Sequence, residues 1–218
     1  MNSYKAYIFD FDGVIKESVH VKSKAFVELY RSEGKEFQNR VEEYHLANGG
    51  ISRYVKFKVW NEWLGRSTST DTINDLAQKF AALVIDNVVT SPFVAGALEA
   101  ILSAKENALS FIATGTPDHE ISEILNRLNL SSSFHEVHGS AKTKPDIIRD
   151  ILERYNLSSS EVLFIGDAQT DYQAAIVNDL DIYLRETEYN SDWFQDKPNI
   201  TYRKKDLQFL IEIIKKVK

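Results

Sequence analysis

Asp10 and Asp12 stand one residue apart in "YIFDFDGVI", where an apolar run gives way to Gly13. Alternate residues of a strand point to the same side, so both carboxylates can project past a sheet edge while Phe9 and Phe11 pack. Two like charges this close repel, and a cation, a shared proton or hydrogen-bond donors must offset the repulsion. A hard divalent cation such as Mg²⁺ suits oxygen ligands and keeps water and phosphate in its shell. A solvated strand-end turn would account for the pair equally well. "VLFIGDAQTD" repeats the pattern, with Gly166 and Asp167 ending another apolar run and Asp171 at the start of the next helix. In an open parallel sheet, ligands gather beyond the carboxyl ends of the strands, so acids from two strands can meet on one ion. Asp171 taken alone also reads as a helix-start charge.

Two further stretches offer anion chemistry. In "LSFIATGTPDHE" an apolar run ends at Thr114, and Gly115, Thr116 and Pro117 open a helix. A hydroxyl, free amides and a helix N-terminus suit a phosphate. Thr116 reads as the helix cap, which leaves Thr114 as the ligand candidate. "HGSAKTKPDII" sets Lys142 and Lys144 just before another helix. A lysine there could neutralise a phosphate and a nucleophile together, or both could be exposed loop residues. Finally, "ANGGISRYVKF" places Gly49 and Gly50 inside an otherwise helical region, with Arg53 and Lys56 about one turn apart. These two cations could face an anionic substrate or simply be solvated.

The elements that must position these residues follow from periodicity. Strand-length apolar runs occur at Ala6 to Phe9, Ala108 to Ala113, Val162 to Ile165 and Ile182 to Leu184, each followed by turn chemistry. Helical patterns cover Val94 to Lys105, Pro117 to Leu128, Pro145 to Tyr155 and Asp171 to Val177. Alternating β and α elements predict a doubly wound α/β core with a parallel sheet. From Ser18 to Thr90 no strand pattern occurs, and Ala25, Phe26, Leu29, Tyr30 and Ile73, Leu76, Phe80, Leu83 recur at helical spacing. This predicts an inserted helical lobe over 18–90 on a core of 1–17 and 91–218, with crossings near Lys16 to Val19 and Thr90 to Phe93. Trp60, Trp63 and Leu64 read as lobe packing. The Lys215 to Lys218 end complements the negative end of a terminal helix.

Composition narrows the classes. The 218 residues carry a net charge of −6 and no cysteine. That charge gives no reason to approach nucleic acid, and the missing cysteines rule out disulfides and thiolate metal sites. With no signal-peptide pattern and no long apolar span, the expectation is a cytoplasmic protein without a membrane role. His20, His45, His119, His135 and His138 show no metal-ligand spacing and read as structural or surface residues. Asn129, Asn156 and Asn199 open N-x-Ser/Thr triplets that read as chance matches.

Four stretches in this order, "DFDGVI", "FIATGTP", "KTKPD" and "GDAQTD", resemble the haloacid dehalogenase (HAD) superfamily, and the likeness spans residues 6 to about 180. It is similar to the group holding phosphoglycolate phosphatases and beta-phosphoglucomutases. The resemblance implies a Rossmann-like core with a helical cap of the C1 type after the first motif. It also implies a Mg²⁺-dependent phosphatase for a small phosphorylated metabolite. Asp10 would be the nucleophile that becomes an aspartyl phosphate, and Asp12 the acid/base. Asp10, the Asp12 backbone carbonyl and Asp167 would hold Mg²⁺, with Asp171 as ligand or supporting partner. Thr114, Gly115 and a lysine would bind the phosphoryl group. Lys144 lies 23 positions before Asp167 and Lys142 lies 25, and both spacings occur in the family, so Lys144 is preferred with Lys142 as the alternative. A Gly-x-Ser-Arg step like that before Arg53 occurs in caps of the family and points to Arg53 and Lys56 as substrate-reading residues. The alternatives are a phosphomutase on the same residues and, from another class, a non-catalytic phosphate-binding or receiver-like module. Dehalogenase chemistry is disfavoured by Asp12.

Overall fold

The computed structural model describes residues 4–215, and its framework is six parallel strands in the order β3-β2-β1-β4-β5-β6. These are β1 (Ala6–Phe9), β2 (Leu109–Ala113), β3 (Glu136–His138), β4 (Val162–Gly166), β5 (Asp181–Arg185) and β6 (Tyr202–Lys204). Both faces of the sheet are covered, which is why the central strands read as continuous apolar runs. Along β1, Tyr7 and Phe9 join one apolar cluster while Ala6 and Ile8 join the other; on β4, Leu163 and Ile165 alternate with Val162 and Phe164 in the same way. One face is closed by Ile101 of α5 (Ala97–Asn107), Ile121 of α6 (Asp118–Arg127) and Leu210 of α10 (Gln208–Lys215). Ile147 and Ile151 of α7 (Lys144–Arg154) and Ala174 of α8 (Gln169–Val177) close the other. The protein therefore has the expected α/β Rossmann-like architecture.

The four strands read from periodicity are present, with ends shifted by a residue or so. The edge strands β3 and β6 were not foreseen. Each has three residues, mostly polar and half-exposed, so neither carries an apolar run. Asn129 and Asn156 follow α6 and α7 at φ of 58° and 49°, the left-handed turn that asparagine tolerates better than most side chains.

Between β1 and α5 the chain forms only helices: α1 (Val19–Leu29), α2 (Lys35–Ala47), α3 (Arg53–Trp63) and α4 (Thr70–Thr90), besides one short 3₁₀ turn. Aromatic packing joins them. Phe26 stacks on Phe80 at 4.0 Å between ring centres and meets Trp60 edge-on at 4.9 Å. Trp60 is fully buried, whereas Trp63 and Leu83 lie at the surface. The chain leaves and re-enters the sheet layer side by side: Glu17 N donates to Pro92 O at 2.9 Å, and Val94 N to Ile15 O at 3.0 Å. Lys16 is buried there, donating to Val89 O and lying 4.1 Å from the centre of the Phe93 ring. Of the Lys215 to Lys218 end, only Lys215, closing α10, falls within the described residues. Among those residues, no helix is long and apolar enough to cross a membrane.

Candidate active site

Strand register brings the acids together. Phe9 of β1 is level with Ile165 of β4, and Phe9 is also level with Ile112 of β2. Asp10, Thr114 and Asp167 consequently leave the sheet at one edge, at the point where strand order runs outward in both directions. Asp10, Asp167 and Asp171 each offer a carboxylate oxygen within 4.8 Å of the others.

One cation answers this cluster directly. Lys144, the first residue of α7, is buried with Nζ 2.5 Å from Asp171 Oδ1 and 3.1 Å from Asp10 Oδ2. Lys142 points elsewhere, its side chain mostly exposed and paired with Asp150. Burial works against the Lys144 charge, but Asp10 and Asp171 outweigh it and push its pKa up. Three carboxylates against one lysine leave negative charge in excess. Burial raises Asp10 to about 7, with Lys144 opposing and Asp171 and Asp12 adding to the rise. Asp167 is raised well above the usual carboxylate range by burial, then by Asp171 and Asp10. Asp10 Oδ1 is buried without a hydrogen-bond partner. An orphaned oxygen and two carboxyl groups pushed up by burial and by their acidic neighbours fit a site for a divalent cation.

Asp171 has little left for an ion. Its Oδ2 accepts from the amides of Asp167 at 3.1 Å and Ala168 at 2.9 Å, and its Oδ1 takes Lys144. In this structure it holds the loop and the lysine in place.

Gly13 is required for this assembly. Its φ is +76°, and a Cβ there would lie 2.1 Å from Asp167 Oδ2. Gly13→Ala is expected to cost roughly 2 kcal/mol or more, from left-handed backbone strain and from displacing Asp167. Urea unfolding with m held constant measures it, and a loss under 0.5 kcal/mol would show that the loop simply relaxes.

Asp12 is held differently. Ser18 Oγ donates to Oδ1 at 2.6 Å, Thr116 Oγ1 to Oδ2 at 3.1 Å, and Lys22 Nζ pairs with Oδ2 while also reaching Thr116 Oγ1 at 2.8 Å. Burial alone would raise the Asp12 pKa, but Lys22 and the two hydroxyls hold it below the usual carboxylate range. The expectation that Thr116 caps α6 is therefore corrected. Pro117 occupies the cap without a side-chain bond, and the Thr116 hydroxyl serves Asp12. Thr114, buried, accepts from Thr116 N at 3.3 Å. Lys22 was missed because a lysine on an amphipathic helix ordinarily faces water.

The helical segment closes over these strand ends. A Cβ on Gly115 would meet Gly50 O at 2.8 Å, and Thr170 Oγ1 donates to Gly49 O at 3.2 Å. Between them lies a cavity of about 400 Å³ with Asp10, Asp12, Asp167 and Gly115 on one side and His45, Gly50, Arg53 and Lys56 on the other. Arg53 is not free there: its guanidinium forks onto buried Glu120 of α6, at 2.9 and 2.6 Å. Lys56 is buried against His45.

The family model for haloacid dehalogenase-like hydrolases matches residues 4–179, and the chain belongs to that family. It is thus an enzyme of the hydrolase class. A phosphorylated carbohydrates phosphatase of Thermotoga maritima is 27% identical over 177 residues, which span 78% of this chain and 80% of the relative. Two solved structures share the fold. One is reported as a predicted phosphoglycolate phosphatase of Haemophilus somnus (TM-score 0.75, 18% identity, all of both chains covered). The other is CbbY of Rhodobacter sphaeroides in complex with xylulose 1,5-bisphosphate (TM-score 0.74, 15% identity, 93% of this chain and 94% of that one).

Proposed function

We propose that the protein is a Mg²⁺-dependent phosphatase acting on a small phosphorylated metabolite, with residues 18–90 as a cap over a core of 1–17 and 91–218. The observation that carries this reading is the convergence of Asp10, Asp167 and Asp171 on one largely buried patch beside Lys144, facing the cavity under the helical segment. Phosphoryl transfer asks mainly for in-line positioning and neutralised oxygen charge, and the site is furnished for both. Asp10, the Asp12 backbone carbonyl and Asp167 would hold the ion, with Asp171 fixing the loop. When bound, Mg²⁺ supplies positive charge to the phosphoryl oxygens and to the attacking carboxylate.

Asp10, through the carboxylate oxygen that the ion would leave free, attacks phosphorus; the ester P–O bond breaks and the leaving oxygen takes a proton from Asp12. Water then attacks the aspartyl phosphate, gives its proton to the Asp12 carboxylate, and inorganic phosphate departs. The conformation described here favours the base form of Asp12, which Lys22 and Thr116 both bond; the acid form needed in the first step takes its proton from solvent. Lys144, Thr114 and the Gly115 amide hold the phosphoryl group.

Phosphate release from a panel of metabolite esters is the test. Activity should vanish on chelation and return with Mg²⁺; release that is indifferent to chelation, or absent with every ester, overturns the reading. Thermal shifts add a second check. Because the pKa of Asp10 is raised to about 7, protons compete with the ion below that pH. Mg²⁺ should raise Tm more at pH 8 than at pH 5.5, and without metal the cluster's contribution to stability should fall as pH rises through 4 to 7.

A further inference from the structure

We propose that the chain leaving β5 is a brace for the ion site: Arg185 and Asn190 are positioning residues that hold the two acid-bearing loops, after β1 and after β4, at the spacing a small divalent cation needs. This rests on reading Asp10, the Asp12 carbonyl and Asp167 as ligands of that ion. In the sheet, β4 lies between β1 and β5, and Leu184 of β5 is level with Gly166 of β4. Arg185 therefore leaves the sheet beside Asp167, yet its guanidinium reaches the loop after β1, two strands away. Nη1 donates to Gly13 O at 2.8 Å and to Glu17 Oε2 at 3.0 Å, Nη2 to Glu17 Oε1 at 2.6 Å, and Nε to Lys205 O at 3.1 Å.

Gly13 is thereby fixed on both sides. Its N–H donates to Lys16 O at 2.8 Å, and its carbonyl accepts from Arg185. A planar trans peptide sets the Asp12 carbonyl opposite the Gly13 N–H, so the direction of that carbonyl follows from how Gly13 is held. Asn190 acts on the other loop. Its Nδ2 donates to Asp167 O at 2.7 Å and to Arg185 O at 2.9 Å, while its Oδ1 accepts from Thr187 N at 2.7 Å. Asp171 Oδ2 accepts from the Asp167 amide, so the backbone of Asp167 is held at its nitrogen and at its oxygen. The two holds join in one place, because the second carbonyl that Asn190 grips is that of Arg185. Closing a turn after β5 explains the bond to Thr187; it does not explain a guanidinium and an amide spent on two distant acidic loops.

Mg²⁺ demands near-ideal octahedral geometry at about 2.0–2.1 Å, whereas Ca²⁺ accepts longer and less regular oxygen cages. Loosening either loop should therefore cost Mg²⁺ more than Ca²⁺. Charge alone predicts the opposite sign. Arg185 lines the same cavity as Asp10 and Asp167, so its removal makes the site more negative and, without a brace, would tighten either cation.

Titrations with Mg²⁺ and with Ca²⁺ at pH 8, with no ester present, give the apparent Kd of each ion from the rise in Tm. Arg185→Met and Asn190→Ala should each weaken Mg²⁺ by about ten- to a hundredfold, the scale on which partners behind metal ligands act. Ca²⁺ should weaken less, so the Kd for Ca²⁺ relative to that for Mg²⁺ falls in both variants. A merely structural role lowers the metal-free Tm and leaves that ratio unchanged. Arg185→Lys keeps the charge but cannot fork between Gly13 and Glu17, and should recover the metal-free Tm more fully than the Mg²⁺ affinity. It and Asn190→Ala carry the test if Arg185→Met does not fold. An unchanged Mg²⁺ Kd in Asn190→Ala, or tighter Mg²⁺ binding after loss of Arg185, overturns the brace and leaves the phosphatase reading standing. A parent protein whose Tm neither ion raises overturns both.

Discussion

The Asp10→Asn protein is expected to lose turnover by at least about 10⁴-fold, the scale on which removing a covalent nucleophile acts. The substitution keeps shape and removes charge. Lys144 would still hold Asp171, so no buried cation is left unpaired. Burial makes the ionised Asp10 costly, and the neutral amide relieves that cost. The variant should therefore match or exceed the parent in Tm at pH 8 without metal, which separates lost chemistry from lost fold. Phosphate release over hours with the best ester of the panel measures the effect. Activity within tenfold of the parent would show that another group attacks.

What the amino-acid sequence reveals of this site depends on the range of each interaction. The acids at Asp10 and Asp167 were legible because a strand that is buried on both faces makes an unbroken apolar run, and the acids stand where it stops. The helical composition of 18–90 was legible for the same local reason, since periodicity is written within a few residues. Partners far apart in the chain were not. Thr116 has every local mark of a helix cap, yet its hydroxyl goes to a carboxylate 104 positions away. Lys142 and Lys144 both fit a family spacing, and only the packing of α7 buries one and exposes the other. Lys22 and Glu120 lie on amphipathic helices, where charge ordinarily means solvent. Glu120 is buried, and Lys22 largely covered, by segments that the local pattern does not mention. The edge strands β3 and β6 were silent because three residues each, mostly polar and half-exposed, are too few to show a period.

The Arg53–Glu120 pair yields the second large effect. Both side chains are about 4% exposed, the fork is two-pronged, and the guanidinium also lies 4.5 Å from the centre of the Phe80 ring. Arg53 opens α3 in the helical segment and Glu120 belongs to α6 beneath the sheet edge, so the pair ties the two layers across the cavity. Arg53→Met should cost about 3–5 kcal/mol in urea unfolding, because it strands a buried carboxylate, and Glu120→Met should cost a similar amount by stranding the guanidinium. The double variant should be far less damaged than the sum of the two, by about 2 kcal/mol or more, because neither charge is then left alone. The same cycle weighs the expectation that Arg53 reads the substrate. If Arg53 contacts the leaving group, Glu120→Gln, which loosens the fork while keeping its shape, should alter KM across the ester panel, whereas a purely structural fork would leave KM fixed and lower only stability. Single variants within 0.5 kcal/mol of the parent would mean that water reaches the pair and that it does not hold the layers together.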